Sequence, residues 1–466
     1  MKRTIARVVL ITGVAGAVAA ASARAQDTAI TPMMALATFD TAWARIDRTY
    51  YDTLFLAGRW KVLRDSLRPL AAKAKTNAQL RTVLQALVGG VGVSHFGLIP
   101  RELAPSLTDP SARPAVSGGG GASGDGRGAG GGSGGAPRGP GNIGVSLRYA
   151  AGKLVVWKVD SGGPAWAQGV RGGDIVIRID TTDATAAFTQ LGHIDESSVR
   201  KEARTTAVMH ANTQLSGTTG DVVTLVLERG GSARTAVIPR GPVRGLMSRV
   251  GNLPPLNAVL DVSERAVSGT NGTRRIGIIG FSVWLPVLSA GLDSAFNRLH
   301  DADGIVIDLR GNPGGFALMI SYIAGHLVET PASLGSLRER ATTLHINANP
   351  QVRPYTGPIA VLIDPLSGST SEFFAAGLQA IGRVRVMGDT SAGAALPAVL
   401  DRLPNGDVMM HALADLVDAK GRRVEGVGVI PDEVVPLNVA ALAAGRDDAL
   451  DAALRWLTTQ SRVHQD

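Results

Sequence analysis

A cluster of hydroxyl side chains follows an apolar stretch in the second half of the chain. The run "PIAVLID" (358–364) has the composition of a buried strand, and it leads through small residues into the apolar, helix-patterned "TSEFFAAGLQ". Ser367, Ser369, Thr370 and Ser371 crowd this junction. A serine at a helix N-terminus is either a cap or a nucleophile, because the positive end of the helix stabilises an anionic oxygen.

A glycine-rich loop could supply the groups that such a nucleophile needs. The stretch "IDLRGNPGG" (307–315) continues another strand-like run. Glycines let backbone N–H groups approach a reacting atom, and ligands of open α/β sheets meet the carboxyl ends of the strands. A phosphate-binding loop is the alternative, but no lysine follows these glycines. Together the two loops predict an acyl-transfer site with an oxyanion hole.

Composition excludes several other kinds of chemistry. The chain has 466 residues, no cysteine and a formal net charge of +8. Thiol chemistry and cysteine-based metal sites are therefore excluded. Part of the positive charge lies in residues 1–25, which contain no acid, and the rest indicates a mildly basic surface rather than a nucleic-acid interface. No metal site and no cofactor are expected, and "HIDES" (193–197) is interpreted as a loop.

The first 25 residues have the pattern of a secretory signal peptide. A basic start, "MKRTIAR", precedes a short apolar stretch and the small-residue sequence "ARA", which ends at Ala25. Cleavage is expected before Gln26, and an uncleaved anchor is the alternative, although the stretch is short for a span of about 20 residues. We expect an exported protein, periplasmic or extracellular, with no stable membrane span after cleavage.

The remaining chain divides into four regions. Residues 26–110 form a helical domain by their three- and four-residue apolar spacing, with Pro69 expected to interrupt one helix, and 111–141 form a Gly/Ser-rich linker. Residues 142–245 read as a β-rich domain, and 246–466 alternate strands and helices. The expected fold class is multidomain α/β.

The β-rich region resembles a PDZ domain of the bacterial protease type. The features that match are "GNIGV", "GPAWAQGV" and "GGDIVIRID". In such a domain the backbone N–H groups of a loop hold the carboxylate of a peptide C-terminus, and an edge strand pairs with the peptide. The peptide-binding residues are then Asn142, Ile143, Gly144 and Val145.

The C-terminal motifs resemble those of the S41 peptidases, which include the C-terminal-processing proteases and the tricorn protease. "DLRGNPGG", "GSTSEFFAAGL" and "EGVGVIPDEVV" occur in this order, after the PDZ-like region and a helical segment that ends in Ser-His. The resemblance implies a ClpP/crotonase-like α/β core with Ser369 as the nucleophile. It also implies an oxyanion hole made by the N–H of Thr370 and that of Gly314 or Gly315, and Ser371 remains the rival nucleophile.

The family contains two kinds of general base. Processing proteases use a lysine whose position here is Ala394. Lys420, in a predicted turn, would be a poor base because a solvated lysine stays protonated at neutral pH. The tricorn-like branch uses a histidine preceded by serine, with a glutamate near the C-terminus. Ser94, His95 and Glu425 match that pattern, and Asp432 is the alternative acid.

The sequence therefore predicts an exported serine endopeptidase that acts on polypeptides through an acyl-enzyme on Ser369, with His95 as the base. Its activity should rise with pH through a step near the ordinary histidine pKa of about 6.5. A catalytically inactive protein of this fold that binds peptides or other ligands is the alternative, because the lysine is missing. A protein that acts only by binding partners through its PDZ domain is a second alternative. It is disfavoured because the large α/β domain would then have no role.

Overall fold

The computed structural model describes residues 10–11, 28–103, 139–191, 197–248, 256–269 and 272–460. The predicted signal peptide apart from Leu10–Ile11, most of the predicted Gly/Ser-rich linker, and residues 193–196 of the "HIDES" stretch lie outside these ranges. Within them the protein is a mixed α/β structure with several sheets.

The helices are α1 (Pro32–Thr49), α2 (Thr53–Ala57), α3 (Arg59–Lys73), α4 (Asn77–Gly89), α5 (Pro164–Ala167), α6 (Ala184–Leu191), α7 (Ser197–Gln214), α8 (Ser289–Arg298), α9 (Met319–Gly325), α10 (Thr370–Ala380), α11 (Val439–Ala443) and α12 (Asp448–Thr459). The strands before residue 250 are β1 (Leu10–Ile11), β2 (Gly97–Ile99), β3 (Pro140–Asn142), β4 (Val145–Ala150), β5 (Lys153–Val159), β6 (Ile175–Ile179), β7 (Thr182–Asp183), β8 (Ser216–Thr218), β9 (Val222–Arg229), β10 (Ser232–Pro239), β11 (Gly241–Pro242) and β12 (Leu246–Ser248). The later strands are β13 (Leu256–Ala258), β14 (Leu260–Gly269), β15 (Gly272–Phe281), β16 (Gly304–Asp308), β17 (Gly315–Phe316), β18 (Ala332–Arg338), β19 (Thr343–Ala348), β20 (Ile359–Ile363), β21 (Arg385–Gly388), β22 (Ala398–Arg402), β23 (Val408–Ala412), β24 (Asp415–Asp418) and β25 (Glu433–Val434).

The N-terminal helices pack around aromatic side chains, as their spacing predicts. Phe39 and Trp60 are fully buried in this cluster. The expected interruption at Pro69 is wrong, because α3 continues through it. Pro69 is exposed, so the helix carbonyl that loses its N–H partner there faces solvent and can bond to water.

A second sheet, in the order β10-β9-β6-β5-β4, occupies the region predicted to be β-rich. Its apolar faces form a separate core with α6 and α7, built around residues such as Leu147, Val156 and Leu225. Strand β4 lies at one end of this order, beside α7. The PDZ assignment of this unit and the predicted domain boundaries stay predictions.

The central sheet of the C-terminal half has the order β14-β15-β16-β20-β21-β25 and is parallel from β15 onwards. Side chains of β20 alternate between its two faces: Ile359, Val361 and Ile363 pack against α8, α9 and α10, whereas Ala360 and Leu362 pack against α12. Burial on both faces explains why this strand reads as a continuous apolar run.

The N-terminal segment is attached to the C-terminal half by a short sheet. Strand β2 pairs antiparallel with β23, so that Leu98 lies opposite Met409. The guanidinium of Arg81 also makes hydrogen bonds of 2.6 and 2.9 Å to the buried carboxylate of Asp407. These contacts fix the loop between α4 and β2, which contains Ser94 and His95, against the α/β core.

Two further features bear on the predicted export signal. Leu10–Ile11 form a short strand that pairs antiparallel with Gly315–Phe316. Among the described residues there is no helix whose length and hydrophobicity would let it cross a bilayer.

Candidate active site

Ser369 lies at the junction between the loop that follows β20 and the first turn of α10. Its backbone has φ +60° and ψ −117°, a conformation that non-glycine residues rarely adopt. Strain of this kind is common where a strand–turn–helix connection presents a nucleophile. The Oγ atom is buried and has no hydrogen-bond partner within the described ranges.

The neighbouring hydroxyls are all engaged in holding the turn. Ser371 Oγ donates to the carbonyl of Asn312 at 3.0 Å and accepts a 2.8 Å hydrogen bond from Trp284 Nε1. Ser367 Oγ donates to the Leu309 carbonyl at 2.8 Å. The rival nucleophile Ser371 is thus committed to structural bonds, and Ser369 is the serine of this cluster with an unengaged hydroxyl.

The glycine loop lies directly against Ser369. A Cβ added to Gly314 would be 2.6 Å from Ser369 Cβ and 3.0 Å from the backbone nitrogen of Thr370, so no larger residue fits. The N–H of Gly314 donates to Asn312 Oδ1 at 3.0 Å, which leaves Gly315 as the better oxyanion donor of the two. Thr370 begins α10, and its N–H is one of the four that a helix leaves without an intrahelical acceptor.

Ser94, His95 and Glu425 form one hydrogen-bonded chain. Ser94 Oγ donates to Glu425 Oε2 at 2.8 Å and lies 2.7 Å from His95 Nδ1. Because the hydroxyl proton is directed to the carboxylate, the hydroxyl oxygen accepts from Nδ1–H, and Nε2 of the imidazole is left unprotonated. The Ser94 N–H also donates to Glu425 Oε1 at 2.8 Å. The imidazole tautomer with a proton on Nδ1 and none on Nε2 is the one that a general base requires.

The segment Ala394–Ala395 joins this hydrogen-bonded chain to Ser369. The carbonyl of Ala394 accepts a 2.9 Å hydrogen bond from the N–H of Ser369, and the N–H of the next residue, Ala395, donates to Glu425 Oε2 at 2.8 Å. His95 and Ser369 make no direct hydrogen bond in this structure. Catalytic hydrogen bonds in a substrate-free site are often long and close only when substrate binds.

Glu372 is a buried carboxylate next to Ser369, and the sequence alone predicts no role for it. It accepts hydrogen bonds from the N–H groups of Ser369 (2.8 Å), Gly393 (2.6 Å) and Ala394 (3.0 Å), and from Ser391 Oγ (2.6 Å). Burial raises its pKa to about 7, against the opposing effect of these donors. The spacing Ser369-x-x-Glu372 is a helix-capping pattern, and this signal could have revealed the contact to the Ser369 N–H.

The electrostatic environment of His95, the predicted base, differs from that of a solvated histidine. Burial lowers the pKa of His95 to about 4, so the imidazole is neutral at pH 7 and able to accept a proton. The backbone of His95 also has a positive φ of 62°. Burial raises the pKa of Glu425, and the hydrogen bonds from Ala395 and Ser94 oppose that rise.

The other candidates for base and acid lie elsewhere. Lys420 is exposed in a turn after β24, where its N–H bonds to Asp418 Oδ1 at 2.8 Å. Asp432 is exposed and accepts hydrogen bonds from the N–H of Val386 and from the side chain of Gln379. Neither residue contacts the chain of Ser94, His95 and Glu425. Within the described ranges no three His, Asp or Glu side chains are grouped as a metal site.

The predicted peptide-binding loop is partly occupied by groups of the protein itself. The N–H of Gly144 donates to Asn142 Oδ1 at 3.0 Å, and Ile143 is fully buried with its carbonyl bonded to the N–H of Ala165. A Cβ added to Gly144 would lie 3.1 Å from Asp160 Oδ2. The carboxylate of Asp160 therefore lies close to the place where the sequence predicts that the carboxylate of a peptide C-terminus binds.

Ser369, the predicted nucleophile, follows the carboxyl end of β20 in the parallel part of the central sheet. A model of peptidase family S41 matches residues 275–435. A carboxyl-terminal-processing protease of Picosynechococcus sp. is 25% identical over 312 residues, which are 65% of this chain and 66% of that protein. Tricorn protease homolog 1 of Streptomyces coelicolor is 30% identical over 158 residues, 33% of this chain and 14% of that protein.

The solved structure of the photosystem II D1 C-terminal processing protease shares the fold. It is 19% identical, covers 91% of this chain and 97% of its own, and superposes with a TM-score of 0.56. Residues 275–435, which contain Ser369 and Glu425, thus resemble peptidase family S41, and the Picosynechococcus relative is a processing protease by name. The matched stretch leaves about a third of the Picosynechococcus relative uncovered.

Proposed function

We propose that this protein is an exported serine endopeptidase that hydrolyses peptide bonds in polypeptides through an acyl-enzyme on Ser369. The observation that carries the proposal is the hydrogen-bonded chain from Glu425 through Ser94 to His95. That chain fixes the imidazole tautomer, and it meets the nucleophile through the adjoining residues Ala394 and Ala395. Such an arrangement serves catalysis of acyl transfer and has no evident purpose in a binding protein.

The proposed reaction proceeds in two halves. Ser369 Oγ attacks the carbonyl carbon of the scissile bond while His95 Nε2 accepts the hydroxyl proton, and the N–H groups of Thr370 and Gly315 stabilise the resulting oxyanion. The C–N bond then breaks, and His95 gives its proton to the departing amine. In the second half His95 takes a proton from water, the hydroxide attacks the acyl ester, and the serine hydroxyl is restored.

Glu425 and Ser94 orient the imidazole of His95 and stabilise the charge that it gains. The positive charge that His95 gains in the transition state is offset by the carboxylate of Glu425, relayed through the Ser94 hydroxyl. Glu425 is buried, so little water screens this interaction. The assignment places this protein in the tricorn-like branch, with no role for Lys420.

Polypeptide is the substrate that the surroundings of the site favour. Strand β17 begins at Gly315 and accepts an antiparallel strand partner, as Leu10–Ile11 show. An extended substrate could pair at the same place beside the oxyanion donors. The relatives are processing proteases by name, and export follows from the basic and apolar N-terminal pattern.

The proposal is tested by reactive-serine labelling and by hydrolysis of an unfolded polypeptide. A fluorophosphonate probe should label the wild type on Ser369 and should not label Ser369→Ala. His95→Ala should lose activity by about 10⁴-fold or more, comparable to Ser369→Ala, because triad members act as a unit. Lys420→Ala is the control and should retain activity. An unlabelled wild type, or an active His95→Ala variant, would overturn the proposal.

A further inference from the structure

Arg423 lies two residues before Glu425, and its side chain connects the loop that contains this acid to the N-terminal helices. The Nε of Arg423 donates to Asp415 Oδ1 at 2.9 Å, and its Nη2 donates to the hydroxyl oxygen of Tyr51 at 2.8 Å. The backbone of Arg423 also forms an antiparallel bridge with Val417. Strand β24 therefore holds both the backbone and the side chain of Arg423, and Tyr51 adds a contact from the N-terminal segment.

The tyrosine pair at the end of α1 also contacts the neighbour of the predicted base. Tyr50 directly follows the last residue of α1, and the centres of the Tyr50 and Tyr51 rings are 4.7 Å apart. The buried ring of Tyr50 packs edge-on against Phe96, with 5.4 Å between the ring centres. Phe96 is the residue after His95. One pair of adjacent residues thus contacts a neighbour of the base and, through Arg423, a neighbour of the acid.

Glu425 is buried at a place where its negative charge is costly. Burial raises its pKa, and hydrogen bonds from the Ala395 N–H and from the N–H and hydroxyl of Ser94 oppose that rise. The positive charge of Arg423 opposes it as well. A protonated Glu425 could no longer offset the charge that His95 gains in the transition state. The useful form of the acid therefore depends on donors that touch it and on a cation that does not.

In the described part of the chain, the other titratable groups around Glu425 do not supply that positive charge. His95 is neutral at pH 7, because burial lowers its pKa to about 4. Glu372 of α10 is itself an acid, and the charge of Glu425 contributes to raising its pKa. Lys201 of α7 reaches the neighbouring loop, where its Nζ donates to the Val427 carbonyl at 3.3 Å, but its charge interacts with Glu372. The cation that acts on the acid is thus the guanidinium described above.

We propose that Arg423 is a positioning residue of the active site, which keeps Glu425 ionised and directed at Ser94 without contacting the substrate. Asp415 and Tyr51 hold the guanidinium in place, and Asp415 also cancels part of its charge. The inference rests on the proposed peptidase function, in which Glu425 is the acid. The Arg423 side chain is 47% exposed, so water screens the interaction and its effect on Glu425 is modest.

Removing this charge should change the acid side of the pH profile. Without Arg423 the pKa of Glu425 rises, so the carboxylate is protonated at a higher pH and kcat/KM begins to fall sooner as the pH is lowered. Arg423→Gln should move this step upward by about half a pH unit to one unit, which is a loss of about three- to tenfold on its acid side. At pH 8 the acid is ionised in both proteins, so kcat/KM should stay within about twofold of the wild type.

The adjacent arginine provides a matched control. The side chain of Arg422 is exposed to a similar extent and bonds to Asp418 at 2.6 Å. Arg422→Gln removes the same charge one residue away and should leave the pH profile unchanged. Arg423→Lys keeps the charge and should hold the step at the wild-type pH. Asp415→Asn should move the step downward, because the charge of Arg423 then acts on Glu425 without a competing acid.

The profiles are measured on the full chain between pH 4 and pH 9, as kcat/KM on a peptide and as the rate of fluorophosphonate labelling. Thermal unfolding at each pH checks that the variants stay folded. An equal loss at every pH in Arg423→Gln, a step that does not move, or the same shift in Arg422→Gln would overturn the inference.

Two further outcomes are kept apart. If Arg423→Gln does not fold, Asp415→Asn decides, and a step that stays in place or moves upward contradicts the role of Arg423. A wild type that is not labelled on Ser369 counts against the peptidase function. A labelled wild type whose step is independent of the charge at position 423 counts against the positioning role alone.

Discussion

The hydroxyl of Ser94 donates a 2.8 Å hydrogen bond to Glu425 Oε2, although the two residues are 331 positions apart in the chain. The contact exists because β2, which begins two residues after His95, pairs with β23 of the α/β core. A residue from the helical N-terminal segment thereby orients the imidazole against an acid from the other end of the protein. The site depends on a long-range strand pairing as much as on its own side chains.

Ser94→Ala should lower kcat/KM by about 10- to 100-fold, because the Nδ1–H of His95 loses its acceptor and the imidazole its connection to Glu425. Steady-state hydrolysis of a peptide substrate measures the loss. Ser94→Thr keeps the hydroxyl and should recover most of the activity, whereas Ser66→Ala, an exposed serine on α3, is a neutral control. If Ser94→Ala retains wild-type activity, the bridge has no catalytic role.

The pH profile should differ from that of a solvated histidine. Burial lowers the pKa of His95 to about 4, below its ordinary value, so the neutral base persists into acid solution. The step in kcat/KM assigned to His95 should therefore lie near pH 4 instead of near the 6.5 expected from the sequence. The profile is measured between pH 3.5 and 9 after checking that the protein stays folded. A His95-dependent step at pH 6 to 7 would show that the imidazole is solvated in the working enzyme.

Glu372 should make stability depend on pH in the opposite direction from an ordinary carboxylate. Its folded pKa of about 7 is above the usual 4.5, so the stabilisation is complete below pH 4.5 and is lost as the pH rises through 7. The shift corresponds to about 3 kcal/mol between those limits. Denaturant unfolding at pH 5 and pH 8 measures the change. Glu372→Gln should remove this pH dependence, and a variant that kept it would exclude Glu372 as its source.

Glu372→Gln should also slow catalysis. A glutamine amide has a single acceptor oxygen, so its NH2 group must face either the N–H of Gly393 or the N–H groups of Ser369 and Ala394, all of which now bond to a carboxylate oxygen. The substitution should displace the segment Ala394–Ala395, which connects Ser369 with the chain of Glu425, Ser94 and His95. This displacement should reduce kcat by about 10-fold or more, since small misplacements are costly in an active site. Fluorophosphonate labelling rates report the same defect without a peptide substrate. Glu329→Gln, at an exposed position after α9, is a suitable control.

Gly314→Ala should abolish activity. The new methyl would lie 2.6 Å from Ser369 Cβ, at a φ of +104° that disfavours alanine. Gly421→Ala is the matched control, because Gly421 has a φ of +77° with nothing within 4 Å of the added Cβ. The control should carry a similar conformational cost of about 1 kcal/mol and keep its activity. Equal activity of the two variants would mean that the close approach to Ser369 is unnecessary.

Much of the fold could be predicted because its signals are local. The buried strands β16 and β20 are uninterrupted apolar runs, and the helices of the N-terminal segment follow the three- and four-residue spacing. The interruption at Pro69 was not predictable from local rules alone, since an exposed proline can be tolerated when water satisfies the freed carbonyl.

The contacts of the site are harder to predict because they depend on distant chain segments. Resemblance to family motifs drew attention to Ser369, His95 and Glu425 as separate positions. The part played by Ala394 and Ala395 is invisible in the sequence, because they act through backbone groups that any residue has. Arg423 is likewise an ordinary exposed arginine until Tyr51 is placed against it.

The pairing of β2 with β23 has a consequence for the covalent continuity of the protein. Residues 28–103 contain the proposed base, and residues 139–460 contain the proposed nucleophile, acid and oxyanion donors, with Leu103 and Gly139 on either side of the Gly/Ser-rich stretch. The two parts are held by a strand pair, by the buried contact between Arg81 and Asp407, and by the bond from Ser94 to Glu425. A chain cut between them should behave as a two-subunit enzyme whose halves complement each other, each inert alone.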